Sequence, residues 1–91
     1  MNEDTKDVCR KRLTKVEGQV RGIARMIDEG RYCIDVLTQL AAVRAALRKV
    51  EEAVLKDHIQ HCVAHAMASG SETEQSQKIA ELMDVIERAQ R

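Results

Sequence analysis

The segment from Tyr32 to Cys62 contains neither glycine nor proline, and no other stretch of the 91-residue chain constrains the fold as strongly. With its flanks it predicts one helix over about residues 31–68, which is unusually long for a chain of this size. Because the chain has no Pro, Phe or Trp, its core material is Leu, Ile, Val, Ala and Met, as in helix bundles. A chain this short buries only a thin core alone, so we expect it to assemble with copies of itself.

Two shorter helices flank the long one. The first, over about residues 5–29, has Thr5 or Asp4 as its expected N-cap and ends at Gly30. Its apolar residues recur at steps of three and four and predict one stripe: Leu13, Val16, Val20, Ile23 and Ile27.

The last helix is expected over about residues 72–89, where Ser71 and Glu74 form a candidate capping box. Its apolar side comprises Ile79, Leu82, Met83 and Ile86. The sequence therefore predicts an all-α fold with a single domain over residues 1–91, built from three helices of which the middle one dominates.

Three residues of metal-ligating type, Cys33, His58 and Cys62, fall on one face of the predicted long helix. At about 100° per residue, His58 lies roughly 20° to one side of Cys33 and Cys62 roughly 20° to the other. Along the axis, however, Cys33 and His58 are about 37 Å apart at ~1.5 Å per residue, whereas metal–ligand bonds are ~2.0–2.3 Å long. One chain therefore cannot close a site. Two antiparallel copies can, and we expect a twofold dimer with two identical sites.

The register of such a dimer places the crossing near residue 46 or 47. The sequence there is rich in small residues, which let two helix backbones approach closely: Ala41, Ala42, Ala45 and Ala46. Two thiolates and one imidazole form a soft ligand set that suits Cu(I) or zinc. His65, about one turn beyond Cys62, is a candidate fourth ligand for zinc.

Each of these residues also has a plainer interpretation. A lone cysteine on a helix is usually a small buried apolar residue, and this is our expectation for Cys9. His61 points away from the ligand face and is expected at the surface. A Cys–His pair can also serve as nucleophile and base, but no Gly-rich oxyanion loop accompanies it, so we do not expect an enzyme.

The N-terminal sequence "MNEDTKDVCRKRL" is polar and charged. It has no apolar signal region, and no run in the chain approaches the ~18 apolar residues that a membrane span needs. We therefore expect a cytoplasmic protein without membrane contact. In that reducing compartment, three cysteines favour thiols, metal ligands or redox sensors over disulfides.

Most of the chain resembles the copper-sensitive operon repressor (CsoR) family. The resemblance is carried by "RLTKVEGQVRGI", "RYCIDVLTQ" and "DHIQHCV". It implies an all-α, disc-shaped dimer of dimers that binds double-stranded operator DNA when metal-free and dissociates when its effector binds, derepressing copper efflux or homeostasis genes. Position by position, it implies that Cys33, His58 and Cys62 are Cu(I) ligands, and that Tyr32 and Glu81 lie next to them.

The branches of this family differ in their effectors. Nickel and cobalt sensors generally carry a histidine near the N-terminus, and the first eight residues here have none. Formaldehyde sensors have proline after the initiator methionine and lack the second cysteine, whereas this chain has Asn2 and Cys62. Persulfide sensors lack the histidine ligand, whereas His58 is present. Copper is favoured by elimination, and Ni(II), persulfide and formaldehyde stay open as alternatives.

Basic residues are concentrated in the first helix and the middle of the second. Between Arg10 and Arg25 there are six Lys or Arg residues and one acidic residue, Glu17. No helix-turn-helix signature is present, so binding is expected to depend on phosphate contacts and DNA shape. With the family resemblance, this predicts five DNA-contacting residues: Arg12, Lys15, Arg21, Arg48 and Lys49.

Overall fold

The computed structural model describes residues 1–89, which form helices connected by short turns and contain no strand within that range. The helices are α1 (Glu3–Asp28), α2 (Cys33–His58), α3 (Ala64–Ala68) and α4 (Glu72–Ala89). A π-helical turn, Ile59–Val63, lies between α2 and α3. The chain divides into two compact units: the first is Met1–Leu55, and the second begins at Lys56. The expected all-α class is confirmed.

Helix α1 begins earlier than expected. Asn2, in extended conformation, accepts a hydrogen bond from the Asp4 N–H through its side chain at 2.7 Å, so the predicted caps Thr5 and Asp4 are wrong. Glu3 and Asp4 instead occupy the first turn, where acidic side chains complement the helix dipole.

The end of α1 is a Schellman motif. The N–H of Arg31 donates to the Met26 carbonyl at 2.9 Å, and the N–H of Gly30 donates to the Ile27 carbonyl at 3.1 Å. Gly30 has a φ of 67°, a left-handed conformation that glycine adopts without steric cost. The stop predicted at Gly30 is therefore confirmed.

The core of the first unit is narrow. On α1 it consists of every seventh residue, Cys9, Val16 and Ile23, each only 6–7% exposed. Val16 and Ile23 pack with Val43 of α2, and Val36 and Ala46 lie against this cluster. The predicted stripe on α1 is therefore only partly buried, because one facing helix covers a narrower strip than the stripe occupies. Its other members are exposed: Leu13, Val20 and Ile27.

The long middle helix differs from the expectation at its start and near its end. It begins at Cys33 instead of residue 31, and the Tyr32 carbonyl accepts hydrogen bonds from the N–H groups of Asp35 and Val36. After His58 the helical backbone continues to Ala68, but through the π-helical turn, where the Ala64 N–H donates to the Ile59 carbonyl. Such turns contain one more residue than an α-helical turn.

In the second unit, α4 packs on α3 and on the π-helical turn. Ala66 of α3 is completely buried, and the Gln75 side-chain amide donates to the Met67 carbonyl at 3.1 Å. Ser71 caps α4 by accepting from the Glu74 N–H at 3.3 Å, which confirms one half of the predicted capping box, whereas the Ser71 N–H that the Glu74 side chain was expected to bind is used elsewhere. The Ser71 N–H donates to Ser69 Oγ at 3.2 Å.

Gly18 lies inside α1 and Gly30 in the turn that ends it, and their backbone conformations differ. Substitution by alanine is therefore expected to change the free energy of unfolding in opposite directions at the two positions. Gly30→Ala places a Cβ in the left-handed region and is expected to lower the free energy of unfolding by about 1 kcal/mol. Gly18→Ala, in the helix interior with open space around the added Cβ, is expected to raise it by about 0.5–1 kcal/mol. Urea denaturation at one fixed protomer concentration tests both. Equal effects of the two substitutions would contradict this account.

Candidate functional site

Cys33 is exposed and is the first residue of α2. At about 100° per residue, three leucines of α2 lie within roughly 40° of its direction. Their exposed fractions are 58%, 40% and 39%, so they form an uncovered apolar strip, called here the leucine stripe: Leu37, Leu40 and Leu47. The Cys33 thiol therefore stands on the same side of α2 as an apolar surface that the first unit leaves open.

The alanines of α2 lie on a different side. Ala42, Ala45 and Ala46 line a groove beside α1, about 120–180° around the helix from Cys33. The structure thus places these alanines away from the ligand side of α2, and the crossing between two copies that was expected there stays a prediction. The antiparallel register fixed only the height of the crossing along the helix, whereas the side is fixed by the phase, and the leucines have the phase of the ligand.

His58 and Cys62 lie one turn apart in the second unit. His58 ends α2 and is partly buried, and Cys62 is exposed within the π-helical turn. His65, the candidate fourth ligand, is exposed in α3. Within residues 1–89, no group of three or more His, Cys, Asp or Glu side chains is arranged to hold a metal ion.

The same turn contains a contact that the sequence analysis missed. The Asp57 carboxylate is buried, with 5% of the residue exposed, and its Oδ1 lies 3.6 Å from Nε2 of His61. His61 is about half exposed, in line with its expected surface position. The sequence signal for this contact is an Asp and a His four residues apart, but that spacing does not indicate that the carboxylate is buried. Cys9 is buried on the side of α1 that also carries Val16 and Ile23, as expected for a structural thiol.

The two residues expected beside the ligands occupy exposed positions. Tyr32 is 70% exposed and precedes α2, where its backbone carbonyl accepts the first helical hydrogen bonds. Glu81, on α4, lies with its carboxylate 3.5 Å from the ammonium of Lys78. Their roles at a metal site stay predictions.

Three of the five candidate DNA-contacting residues meet in one place. Arg12, Lys15 and Lys49 line the groove between α1 and α2, called here the basic groove, which has a volume of about 440 Å³. Nη1 of Arg12 donates to the Lys49 carbonyl at 3.4 Å. Arg21 instead pairs with Glu17 at 2.7 Å, and Arg48 is exposed on α2 outside the groove lining.

Gln19 also lines this groove and was missed by the sequence analysis. Its Oε1 is buried and has no hydrogen-bond partner among the described residues. A glutamine in a helix carries no pattern that distinguishes it from an ordinary surface residue, so only the packing of α1 on α2 identifies it.

The first unit of this all-helical chain therefore has an exposed thiol beside an apolar stripe, and a groove lined by basic residues on the opposite side of α2. The model of the metal-sensitive transcriptional repressor family matches residues 5–88. The chain therefore belongs to this family, and the resemblance noted in its sequence is confirmed. The match places it among transcriptional repressors. No helix in residues 1–89 is long and apolar enough to cross a membrane.

Individual relatives agree with this family. The copper-sensing transcriptional repressor RicR of Mycobacterium tuberculosis (strain ATCC 25618 / H37Rv) is 62% identical over 65 residues, which cover 71% of this chain and 68% of the relative. The crystal structure of the copper-sensing repressor CsoR with Cu(I) from Geobacillus thermodenitrificans NG80-2 is similar, with a TM-score of 0.90 and 42% identity, covering 100% of this chain and 92% of that one. The nickel-responsive transcriptional regulator InrS has a TM-score of 0.74 and 39% identity, covering 90% and 89%.

The burial of the three cysteines predicts their reactivity. Cys33 and Cys62 are exposed, whereas Cys9 is 6% exposed, so we expect iodoacetamide to modify the first two at least ~10-fold faster than Cys9 in the folded protein. Peptide mass spectrometry after timed labelling measures the three rates, and labelling in urea is the control, where they should become similar. Labelling of Cys9 as fast as Cys62 in the native protein would contradict the buried position.

Proposed function

We propose that this chain is a Cu(I)-responsive transcriptional repressor that binds operator DNA when metal-free and dissociates from it when Cu(I) binds. The observation that carries the proposal is the joint presence of Cys33, His58 and Cys62 in a chain whose relatives include copper-sensing repressors. Because operator DNA is its partner, we also propose that the protein acts in the cytoplasm.

The site requires a second copy of the chain. In an antiparallel dimer with its crossing near residue 46 or 47, Cys33 of one protomer faces the partner's His58 and the partner's Cys62. The leucine stripe supports this arrangement, because its exposed apolar surface has the phase of Cys33 and needs a cover. The exposed apolar residues of α1 add to the uncovered surface: Leu13, Val20 and Ile27. We propose that two such dimers associate into the disc-shaped tetramer implied by the sequence resemblance.

The donor set fits Cu(I). Two thiolates and one imidazole supply three soft ligands, which are sufficient for Cu(I), whereas zinc normally takes four. His65 is the available fourth donor, so zinc binding depends on whether that side chain joins the set. When bound, Cu(I) would link groups of two protomers and so favour one arrangement of the dimer.

Dissociation from DNA follows if that arrangement moves the basic grooves out of their positions on the duplex. The imidazole of His58 uses one ring nitrogen for the metal, and the other is free to hydrogen-bond a neighbouring group such as Glu81 or Tyr32. Glu81 would have to leave Lys78 to do so, which costs little because both side chains are partly exposed. A coupling free energy of ~1–3 kcal/mol between metal and DNA is typical of such systems.

Nickel is the second candidate effector, because the nickel-responsive regulator InrS is 39% identical to this chain. A titration of the DNA-bound protein distinguishes the candidates. We expect Cu(I) to release the DNA upstream of its own gene in a gel-shift assay, and Ni(II), Zn(II), persulfide and formaldehyde to leave it bound. Release by Ni(II) alone would identify nickel, and not copper, as the effector. Release by persulfide alone would indicate that the effector reacts with the two thiols.

If His58 transmits metal binding to the DNA-binding surface, a variant without it should bind copper but fail to release DNA. His58→Ala is expected to keep Cu(I) through the two thiolates, with lower affinity, and to stay on the operator when copper is added. Gln60→Ala is the control, since this residue is exposed in the π-helical turn that follows His58 and lies off the ligand face. Competition with a Cu(I) chelator and fluorescence anisotropy on labelled operator measure the two properties. If His58→Ala releases DNA as the unchanged protein does, transmission through the histidine is wrong.

A further inference from the structure

We propose that the π-helical turn between α2 and α3 determines the metal specificity of the site, because it rotates His65 away from His58 and Cys62 and so removes the fourth donor that zinc normally takes. The inference deepens the proposed function and rests on it, since it concerns the choice between Cu(I) and Zn(II) at the same ligands. Every residue of this chain that carries it belongs to the second unit, which begins at Lys56.

In a regular α-helix, His65 would share a side with the two ligands of the second unit. At about 100° per residue, Cys62 would lie roughly 40° to one side of His58, and His65 roughly 20° to the other. The three positions would follow one another at steps of four and three residues, the spacing at which helical side chains meet. Such a helix would offer zinc two imidazoles and one thiolate, to which the partner's Cys33 adds a second thiolate.

The structure has a different backbone between these residues. The Ala64 N–H donates to the Ile59 carbonyl, which is the hydrogen bond over five residues that defines a π-helix. With about one residue more than the ~3.6 of an α-helical turn, the backbone advances roughly 80° per residue instead of ~100°. Cys62 then stays within roughly 40° of His58, whereas His65 comes to lie roughly 120° from it. The turn therefore keeps the ligand pair together and removes the additional donor from its side.

Ala66 takes the position that His65 would have in a regular helix. By the same count, Ala66 lies within roughly 20° of His58. Its side chain is a methyl group without a donor atom, and the residue is completely buried, whereas His65 is exposed in α3. In agreement with this arrangement, no group of three or more His, Cys, Asp or Glu side chains within residues 1–89 is placed to hold a metal ion. Beyond the turn, the ligand side of the helix therefore supplies no further donor.

Contacts on both sides of the π-helical turn hold this rotation. Before the turn, the buried Asp57 carboxylate lies 3.6 Å from Nε2 of His61, which joins the end of α2 to the turn. After it, α4 packs on α3 and on the turn itself, and the Gln75 side-chain amide donates to the Met67 carbonyl at 3.1 Å. A return to regular α-helix would rotate Ala66 by roughly 100° out of its buried position. The turn is therefore maintained by the packing of the second unit.

The number of donors then distinguishes the two metals. Cu(I) is satisfied by two thiolates and one imidazole, which the proposed dimer supplies through His58, Cys62 and the partner's Cys33. Zinc normally takes four ligands, and with three protein donors it keeps a water molecule in the fourth position. An imidazole in place of that water would strengthen zinc binding. The rotation of His65 therefore lowers the affinity of the site for Zn(II) and leaves the affinity for Cu(I) unchanged.

Histidine labelling of the unchanged protein tests the inference. Diethyl pyrocarbonate modifies free imidazole nitrogens, and peptide mass spectrometry measures the rate at each histidine. We expect Cu(I) and Zn(II) each to slow the modification of His58 at least ~10-fold, because a ring nitrogen bound to a metal cannot react, and to change that of His65 less than about twofold. Equal protection of both histidines by zinc would overturn the inference and leave copper-dependent release of DNA intact. If neither metal protects His58, the proposed ligand set is wrong and this inference fails with it.

A pair of variants gives a second measurement. His65→Ala removes an exposed imidazole and is expected to keep the Zn(II) affinity within about twofold, whereas His58→Ala should lower it roughly tenfold or more. Competition with a chelator measures the affinity, and X-ray absorption spectroscopy counts the nitrogen and sulfur neighbours of the bound zinc, which should be the same in His65→Ala as in the unchanged protein. Circular dichroism and native mass verify that each variant is folded and assembled. A folded His65→Ala variant that loses as much zinc affinity as His58→Ala, with one nitrogen neighbour fewer, would contradict the role of the turn.

Discussion

The packing of α1 against α2 through every seventh residue of α1 determines which surfaces of the first unit are available for function. Val16 and Ile23 meet Val43 in a core so narrow that no large side chain is completely buried within residues 1–89. A contact of this width covers only one strip of each helix. It leaves the leucine stripe uncovered on one side of α2 and an open groove on the other. The thin core is thus a reason why this chain has two usable surfaces, as well as a reason for it to assemble.

The general organisation could be predicted from sequence because its signals are local. Gly30 ends α1 through its own backbone conformation, and Ser71 caps α4 through its own hydroxyl. The start of α1 was misplaced because Asn2, Asp4 and Thr5 are all acceptable caps, and the choice depends on the backbone that precedes the helix. The π-helical turn was missed because a run without Gly or Pro contains no mark of where one additional residue is inserted.

The candidate site was predictable only in part, because some of its features follow from sequence spacing and others depend on a neighbouring element. Periodicity predicts a common side for Cys33, His58 and Cys62 only if one regular helix contains all three, whereas Cys62 lies in the π-helical turn that follows α2. It does not tell which side of α2 faces α1, so the sequence did not indicate that Ala42, Ala45 and Ala46 line the groove beside α1. The burial of Asp57 and of Gln19 Oε1 likewise depends on a neighbouring element, so neither residue was distinguishable from exposed polar residues in the sequence.

The placement of the two proposed functions on one helix suggests how they communicate. Cys33 and Lys49 belong to the same α2, the thiol on the leucine side and the ammonium at the groove. A straight helix transmits a rotation at one position to all others without a chain of flexible contacts. If Cu(I) fixes the angle at which two α2 helices cross, it also fixes the directions in which the basic grooves of the dimer face. Under the proposed function, the DNA would not need to detect the metal itself. It would bind only when the spacing of the grooves matches the spacing of its phosphates, and a change of crossing angle would be sufficient to disrupt that match.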